Sequence, residues 1–324
     1  MIGKVWFRFP GEESVCLSGQ TAVLHTAPRE AGFLFMPFDR DMPGVWINGE
    51  KTEAQAAPGR YNIPEANQDY LESDYYNRAS YMAWVEEARE AIRSGMLEKV
   101  VTARSLFRAL PPRPEVWYPA ACQAYPDAAV CLIDAPRSGL WLGASPEPLL
   151  HWKDGEGYTV ALAGTRRSDG AAFSAKEQEE QAYIGRFIEE VFQARGIAFE
   201  RGPAEEIAQG SLRHIRTRYG FRCAYEQLWE LARSLHPTPA VGGYPRVAAL
   251  QLLQRERTAR SYYAGYFGRW TPDEISLWVN LRCGRLYRNG ILQYAGTGIT
   301  ADSDPAAEWL ETEMKLGVLG KILV

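Results

Sequence analysis

Residues 294–299 read YAGTGI and residues 303–315 read SDPAAEWLETEMK. The first is an apolar strand whose glycines bare its backbone; the second has helical period behind Pro305. On that helix Glu308 and Glu311 lie three apart and Lys315 follows four later, so all three share a face. For an isolated helix the ordinary reading is a solvated, ion-paired surface. The rest of the chain changes it.

A length of 324 residues allows one large core or two fused lobes. With 46% hydrophobic and 23% charged residues the composition is that of a globular protein. A formal charge of -4 argues against nucleic acid as the main partner. No apolar run is long enough for a bilayer and MIGKVWFRFP does not read as a signal peptide, so a cytoplasmic protein without a membrane partner is expected. Cys16, Cys122, Cys131, Cys223 and Cys283 are scattered and lack CxxC spacing, which fits reduced thiols. None of the 4 histidines has HxxxH spacing, so a divalent ion has to be held by oxygen, and Mg²⁺ or a similar hard cation fits.

Residues 1–60 alternate apolar and polar groups among turn formers (VWFRF, GFLFMPF, GVWING), the mark of short strands. Between Asp69 and Gly95 the period becomes helical, with Tyr81, Val85, Ala88 and Ile92 on one face. EKVVTARSLFRAL reads as a strand with Lys99 near its start, and AVCLIDA, LWLGASPEPLLHW and YTVALAGT as further strands. A long helix fits AFSAKEQEEQAYIGRFIEEVFQARG, with Ser174 as N-cap and Gly196 as stop. YEQLWELARSL is helical; YYAGYFGRW, ISLWVNLRCGRLY and ILQYAGTGI are strands. No linker divides the chain, so residues 1–324 are expected to form a single domain of the α+β class. No GxGxxG follows a first strand, which argues against a dinucleotide fold.

Four groups carry candidate chemistry. Lys99 opens an otherwise apolar strand; most such lysines reach solvent, but one desolvated in a cleft can act as a base toward water. In ALAGTRR, Gly164 permits close backbone approach, and an exposed N–H with the Thr165 hydroxyl can hold a carboxylate. In KEQEEQ, Glu177 and Glu180 repeat the i,i+3 spacing of Glu308 and Glu311. Each pair alone suggests a solvated face; two pairs on two helices can face one hard cation. LHPTPAVGGYPR, residues 235–246, is a rigid irregular loop, and such loops are often functional.

Together these stretches resemble the chorismate-utilising enzymes. The pieces, in order, are EKVVTAR, GASPEPLL, ALAGTR, KEQEEQ, SLRHIRTR, LHPTPAVGGYPR, YYAGYFG, NLRCGRL, YAGTGI and SDPAAEWLETEMK, spanning residues 97 to 320. Residues 1–70 match loosely and look shorter than is usual in the family, with the core motifs in 71–324. The resemblance implies the chorismate-binding fold of anthranilate synthase component I: two stacked antiparallel sheets, helices outside, and a central cleft. It implies Mg²⁺ held by Glu180 and Glu311, with Glu177 and Glu308 acting through waters. Gly164, Thr165 and Lys315 would approach the ring carboxylate of chorismate, and Arg282 and Tyr263 the enolpyruvyl carboxylate. Gly296 and Gly298 would let the ligand lie against backbone.

Family members that add water carry lysine at the position of Lys99, as general base. The resemblance is therefore to isochorismate synthases of menaquinone or siderophore pathways, with no amidotransferase subunit and a monomer expected. Salicylate synthase is the alternative activity. A third reading is a chorismate binder that has lost turnover. It arises because the resemblance leads to an expected general-acid glutamate three residues before Ala-Gly-Thr, where this chain has Val160. Tyr158, on the same strand face, and His214 are the substitutes the sequence suggests.

Overall fold

The computed structural model describes residues 1–53, 61, 63–66, 77–167, 173, 175–209 and 212–323, with the backbone alone at 165–167, 175–177, 208–209 and 212. Strands β1 (Ile2–Arg8), β2 (Val15–Leu24), β3 (Gly32–Met36) and β4 (Gly44–Glu53) come from the alternating N-terminal stretch. Helix α1 (Arg78–Arg93), β5 (Lys99–Ala109) and α2 (Pro114–Ala124) follow. Then come β6 (Ala129–Ala135), β7 (Gly139–Ser145), β8 (Pro148–Lys153), β9 (Glu156–Arg167) and helix α3 (Ala175–Arg195). The hairpin β10 (Phe199–Gln209) and β11 (Leu212–Arg222) leads to α4 (Tyr225–Leu235), the two-residue β12 (Gly243–Tyr244) and α5 (Arg246–Leu253). The chain finishes with β13 (Tyr266–Trp270), β14 (Glu274–Val279), β15 (Cys283–Tyr287), β16 (Gly290–Ile299) and α6 (Pro305–Gly320).

All these strands join one hydrogen-bonded order, β10-β11-β9-β8-β14-β13-β3-β4-β2-β1-β6-β7-β15-β16-β5-β12. Each neighbouring pair is antiparallel. The two expected layers are halves of this one sheet. β3 and β7 stand five steps apart, about 24 Å on a flat sheet at ~4.8 Å per strand. Yet the rings of Phe35 and Trp141 on those strands lie 6.0 Å apart. The sheet therefore folds over on itself, with aromatic side chains filling the space between its layers.

Alternation along the strands explains why helices cover the outside. In β6, Cys131 and Ile133 enter the core between the layers, while Val130 and Leu132 point outward onto Trp117 and Tyr118 of α2. Both faces of such a strand are apolar, so the outer one requires a helix. α1 behaves as its period predicts: Asn77 accepts the Ser80 N–H at 2.9 Å, and Tyr81, Val85, Ala88 and Ile92 are buried, with Trp84. The Tyr81 hydroxyl then bonds Thr102 on β5 (3.0 Å) and Thr297 on β16 (2.8 Å), which locks α1 to this pair of strands. The part of the expected helix from 69 to 76, and Ser174 as a cap, lie outside the described residues.

Candidate active site

One cleft, of about 160 Å³, lies where the two ends of the strand order meet. β9 and β11 supply one wall through Leu162, Gly164 and His214; β5 and β16 supply the other through Lys99, Gly296 and Gly298. α3 contributes Glu180 and α6 contributes Glu311 and Lys315.

Lys99 is 2% exposed, so the ordinary solvent-reaching reading fails for it. It is buried because the loop after α4 closes over it: Tyr244 and Gly243 pair with Lys99 and Val100 as β12 against β5. A Cβ on Gly243 would stand 2.3 Å from the Lys99 carbonyl oxygen, so a side chain there would push the loop away. Across the sheet, a Cβ on Gly298 would meet Lys99 Cε at 2.8 Å and Glu180 Oε1 at 3.3 Å. Gly298 thus makes room for a lysine and its carboxylate partner. Lys99 Nζ lies 3.8 Å from Glu180 Oε2.

The helix after YAGTGI divides its charges between two directions. Asp304 caps α6 by accepting the Ala307 N–H at 2.8 Å, and Pro305 fills the first turn. Lys315 pairs with Glu311 at 2.7 Å and donates to the Gly296 carbonyl at 2.8 Å, so both face the cleft. Glu308 is 2% exposed and joins Thr312, Leu316 and Leu319 on the buried face; it does not line the cleft wall. Arg104 on β5 fixes the helix rotation. Its Nε donates to Thr312 Oγ1 at 2.6 Å, its guanidinium lies 3.8 Å over the Trp309 ring, and it pairs with Glu313.

The opposite wall is suited to anions. Arg282 lines it, and burial pulls its pKa down while Tyr125 and Glu147 act the other way. Tyr263 is buried beside it, stacked on Tyr294 at 5.2 Å. His214 Nδ1 is 2.9 Å from the Gly164 carbonyl oxygen. Burial, then the Arg282 charge, push the His214 pKa down to about 4, so its ring is neutral near pH 7. The Thr165 and Glu177 side chains lie outside those described.

The structure adds a residue that the sequence reading passed over. Glu147, between Pro146 and Pro148 in GASPEPLL, lines the same cleft as Lys99 and is 7% exposed. Its backbone is tied down: the Val279 N–H donates to its carbonyl at 2.9 Å, and its own N–H meets Ser145 Oγ at 3.3 Å. Burial raises its pKa to about 7, against the opposing pull of Lys99, Lys315 and Arg282. A carboxyl that is still protonated near neutrality is what a general acid requires. The signal in the sequence was a carboxylate held between two prolines inside an apolar run.

Val160 is correspondingly an ordinary residue of the strand core. It is 5% exposed, pairs with Arg218 on β11 and is not on the cleft wall. Tyr158 lies farther along β9 under the Arg218 guanidinium, 4.0 Å from its ring centroid, outside the cleft. Position 160 thus lies in the strand core off the cleft lining, and the buried carboxyl that does line the cleft is that of Glu147. Val160→Glu should give no gain in turnover and should destabilise the fold by about 3 kcal/mol or more, because it buries a carboxylate in a strand. Denaturant melts beside rate measurements test this, and a rise in turnover would refute it.

Glu180 and Glu311 offer carboxylate oxygens to the cleft, a donor set suited to a hard cation. Among the described residues, no three His, Cys, Asp or Glu side chains converge as a ready ligand group.

Comparison with known proteins agrees with this geometry. Residues 44–324 match the family model described as chorismate binding enzyme. The chain is 33% identical over 263 residues to the salicylate biosynthesis isochorismate synthase of Pseudomonas aeruginosa, covering 76% of this chain and 55% of that protein. It is 32% identical over 197 residues to isochorismate synthase EntC of Escherichia coli K12, covering 56% and 50%. The chain thus spans about half the length of these curated relatives. In fold it matches the menaquinone-specific isochorismate synthase MenF of Escherichia coli with a TM-score of 0.84 at 20% identity, over 99% of this chain and 89% of that one. Anthranilate synthase component I of Streptococcus pneumoniae follows at 0.72 and 17%, over 98% and 91%.

Proposed function

Because the chain belongs to the chorismate-binding enzyme family, we propose that it converts chorismate to isochorismate. The observation that carries this reading is a buried lysine and a buried, neutral-leaning carboxyl on the walls of one small cleft. In this reading Lys99 takes a proton from water as the oxygen attacks C2 of the ring. Glu147 gives a proton to the C4 hydroxyl, which departs as water while the ring double bonds shift. One water enters and one leaves, so the net change is an isomerisation. Arg282 and Tyr263 receive the enolpyruvyl carboxylate, and Gly164, Thr165 and Lys315 the ring carboxylate. His214, neutral and anchored to Gly164, orients that wall.

Mg²⁺ fits the cleft, with Glu180 and Glu311 as ligands and Glu177 supporting them through water; it would neutralise the ring carboxylate. The two cleft carboxylates also pair with Lys99 and Lys315. Glu180→Gln and Glu311→Gln are each expected to raise the half-saturating Mg²⁺ concentration by about 10–100-fold or more. Near wild-type rates for both variants at limiting Mg²⁺ would remove the metal assignment.

The deciding experiment is chromatography of chorismate incubated with the protein and Mg²⁺. Isochorismate is the expected product, and the fluorescence of salicylate in the same mixture would indicate further pyruvate loss. Binding without any product would overturn the assignment of activity.

A further inference from the structure

A second cavity, of about 300 Å³, lies between residues 37–43, α4 and β13, with Arg40, Arg233, Trp229, His236 and Tyr266 in its wall. Arg40 in this wall is exposed and Arg233 half-buried. Burial raises the Tyr266 pKa, the Arg233 and Arg40 charges act the other way and Glu230 opposes them, and Arg40 also acts on Arg246. Among the described residues, none of these three arginines has a carboxylate oxygen within ion-pair distance. Tyr266 is 1% exposed, and its hydroxyl has no hydrogen-bond partner in the fold. Buried polar groups are nearly always paired, so an orphaned hydroxyl in a cavity wall that also carries two arginines calls for an acceptor. Asp39 and Asp41 also reach the rim. Asp39 is occupied in its own turn, accepting the Asp41 N–H at 2.9 Å, and Asp41 is exposed.

We propose that this cavity binds a small oxyanion, carboxylate or phosphate, between the Arg40 and Arg233 guanidiniums and the Tyr266 hydroxyl. An occupant there would rest against His236, the first residue of a short segment whose other end, Ala240 and Val241, walls the catalytic cleft. The segment is stiff: the Val241 and Gly242 N–H groups donate to the Thr238 carbonyl, and Arg260 donates to the Val241 carbonyl at 2.7 Å. This segment is the route by which occupancy of the second cavity would reach the cleft wall. The binding inference stands independently of the activity proposed above.

The test is calorimetry of the whole protein with inorganic phosphate and, separately, benzoate, at constant ionic strength against chloride. The same titrations are run on Arg40→Ala/Arg233→Ala and on Tyr266→Phe. At least one anion should bind, and the double variant should weaken it about tenfold or more. Tyr266→Phe, which removes only the hydroxyl, should weaken it less. Phosphate alone would assign a tetrahedral ligand, and benzoate alone a planar carboxylate. The KM for chorismate, measured with and without the anion, should shift in the wild type and stay constant in the double variant. Loss of binding in the double variant with no KM shift would support the site and refute the transmission. No binding by either anion, or equal binding by wild type and double variant, would overturn the proposal.

Discussion

Glu147→Gln is expected to lower isochorismate formation by ~10²–10⁴-fold, the usual contribution of a positioned acid, while leaving the fold intact. Glutamine keeps the shape of the side chain and removes its transferable proton. The pH profile supplies a sharper check. Burial raises the Glu147 pKa to about 7, so the acid is competent below that value and is lost as the pH rises through it. Rate should therefore decline on the alkaline side of about 7 in the wild type, and the residual rate of the Gln variant should lack that limb. An unchanged rate, or the same limb in the variant, would take the acid's role away from Glu147.

Lys99→Ala is expected to reduce turnover by a comparable ~10²–10⁴-fold or more. It also removes the cation 3.8 Å from Glu180 and leaves space over Gly298. Stability therefore has to be measured beside rate. Lys99→Arg separates charge from base function: it keeps the cation near Glu180 but cannot give up a proton near neutrality. Both variants should be inactive, the Arg variant with its affinity for Mg²⁺ better preserved. Isochorismate formation at wild-type rate by either one would rule out Lys99 as the base.

Much of the fold was legible because its elements carry strong periods. The face Tyr81, Val85, Ala88 and Ile92 is buried as its spacing required. YEQLWELARSL coincides with α4 and ILQYAGTGI with β16. ISLWVNLRCGRLY, read as one strand, is instead β14 and β15 broken at residues 280–282, and LWLGASPEPLLHW is β7 and β8 broken at Pro146 and Glu147. Other elements were not visible in the sequence. α2 carries Pro119 inside it and offered no clear period, and the β10–β11 hairpin is rich in charged residues that disguise its alternation. In the site, Lys99, Glu180, Arg282, Tyr263, His214, Gly164, Gly296, Gly298, Glu311 and Lys315 do meet in one cleft. Glu308 does not reach its wall, since helical spacing places a residue on a face without saying how deeply that face is buried. Glu147 was missed for a related reason. Its pKa depends on desolvation by distant segments, which no local pattern encodes.

The ends of the strand order close over the cleft, so the site exists only after the whole chain has come together. Tyr81 on α1 already needs Thr297, 216 residues on, for its hydrogen bond. During synthesis, Lys99 and Glu147 emerge well before Glu311 and Lys315, an interval on the order of 10–30 s at typical translation speeds. Through that interval the growing chain has Lys99 and Glu147 but neither the α6 carboxylate nor the lysine beside it. Long-range pairing of this kind folds slowly and leaves apolar strand edges open meanwhile. A nascent chain without α6 therefore lacks one wall of the cleft, and truncation before α6 should yield a chaperone client.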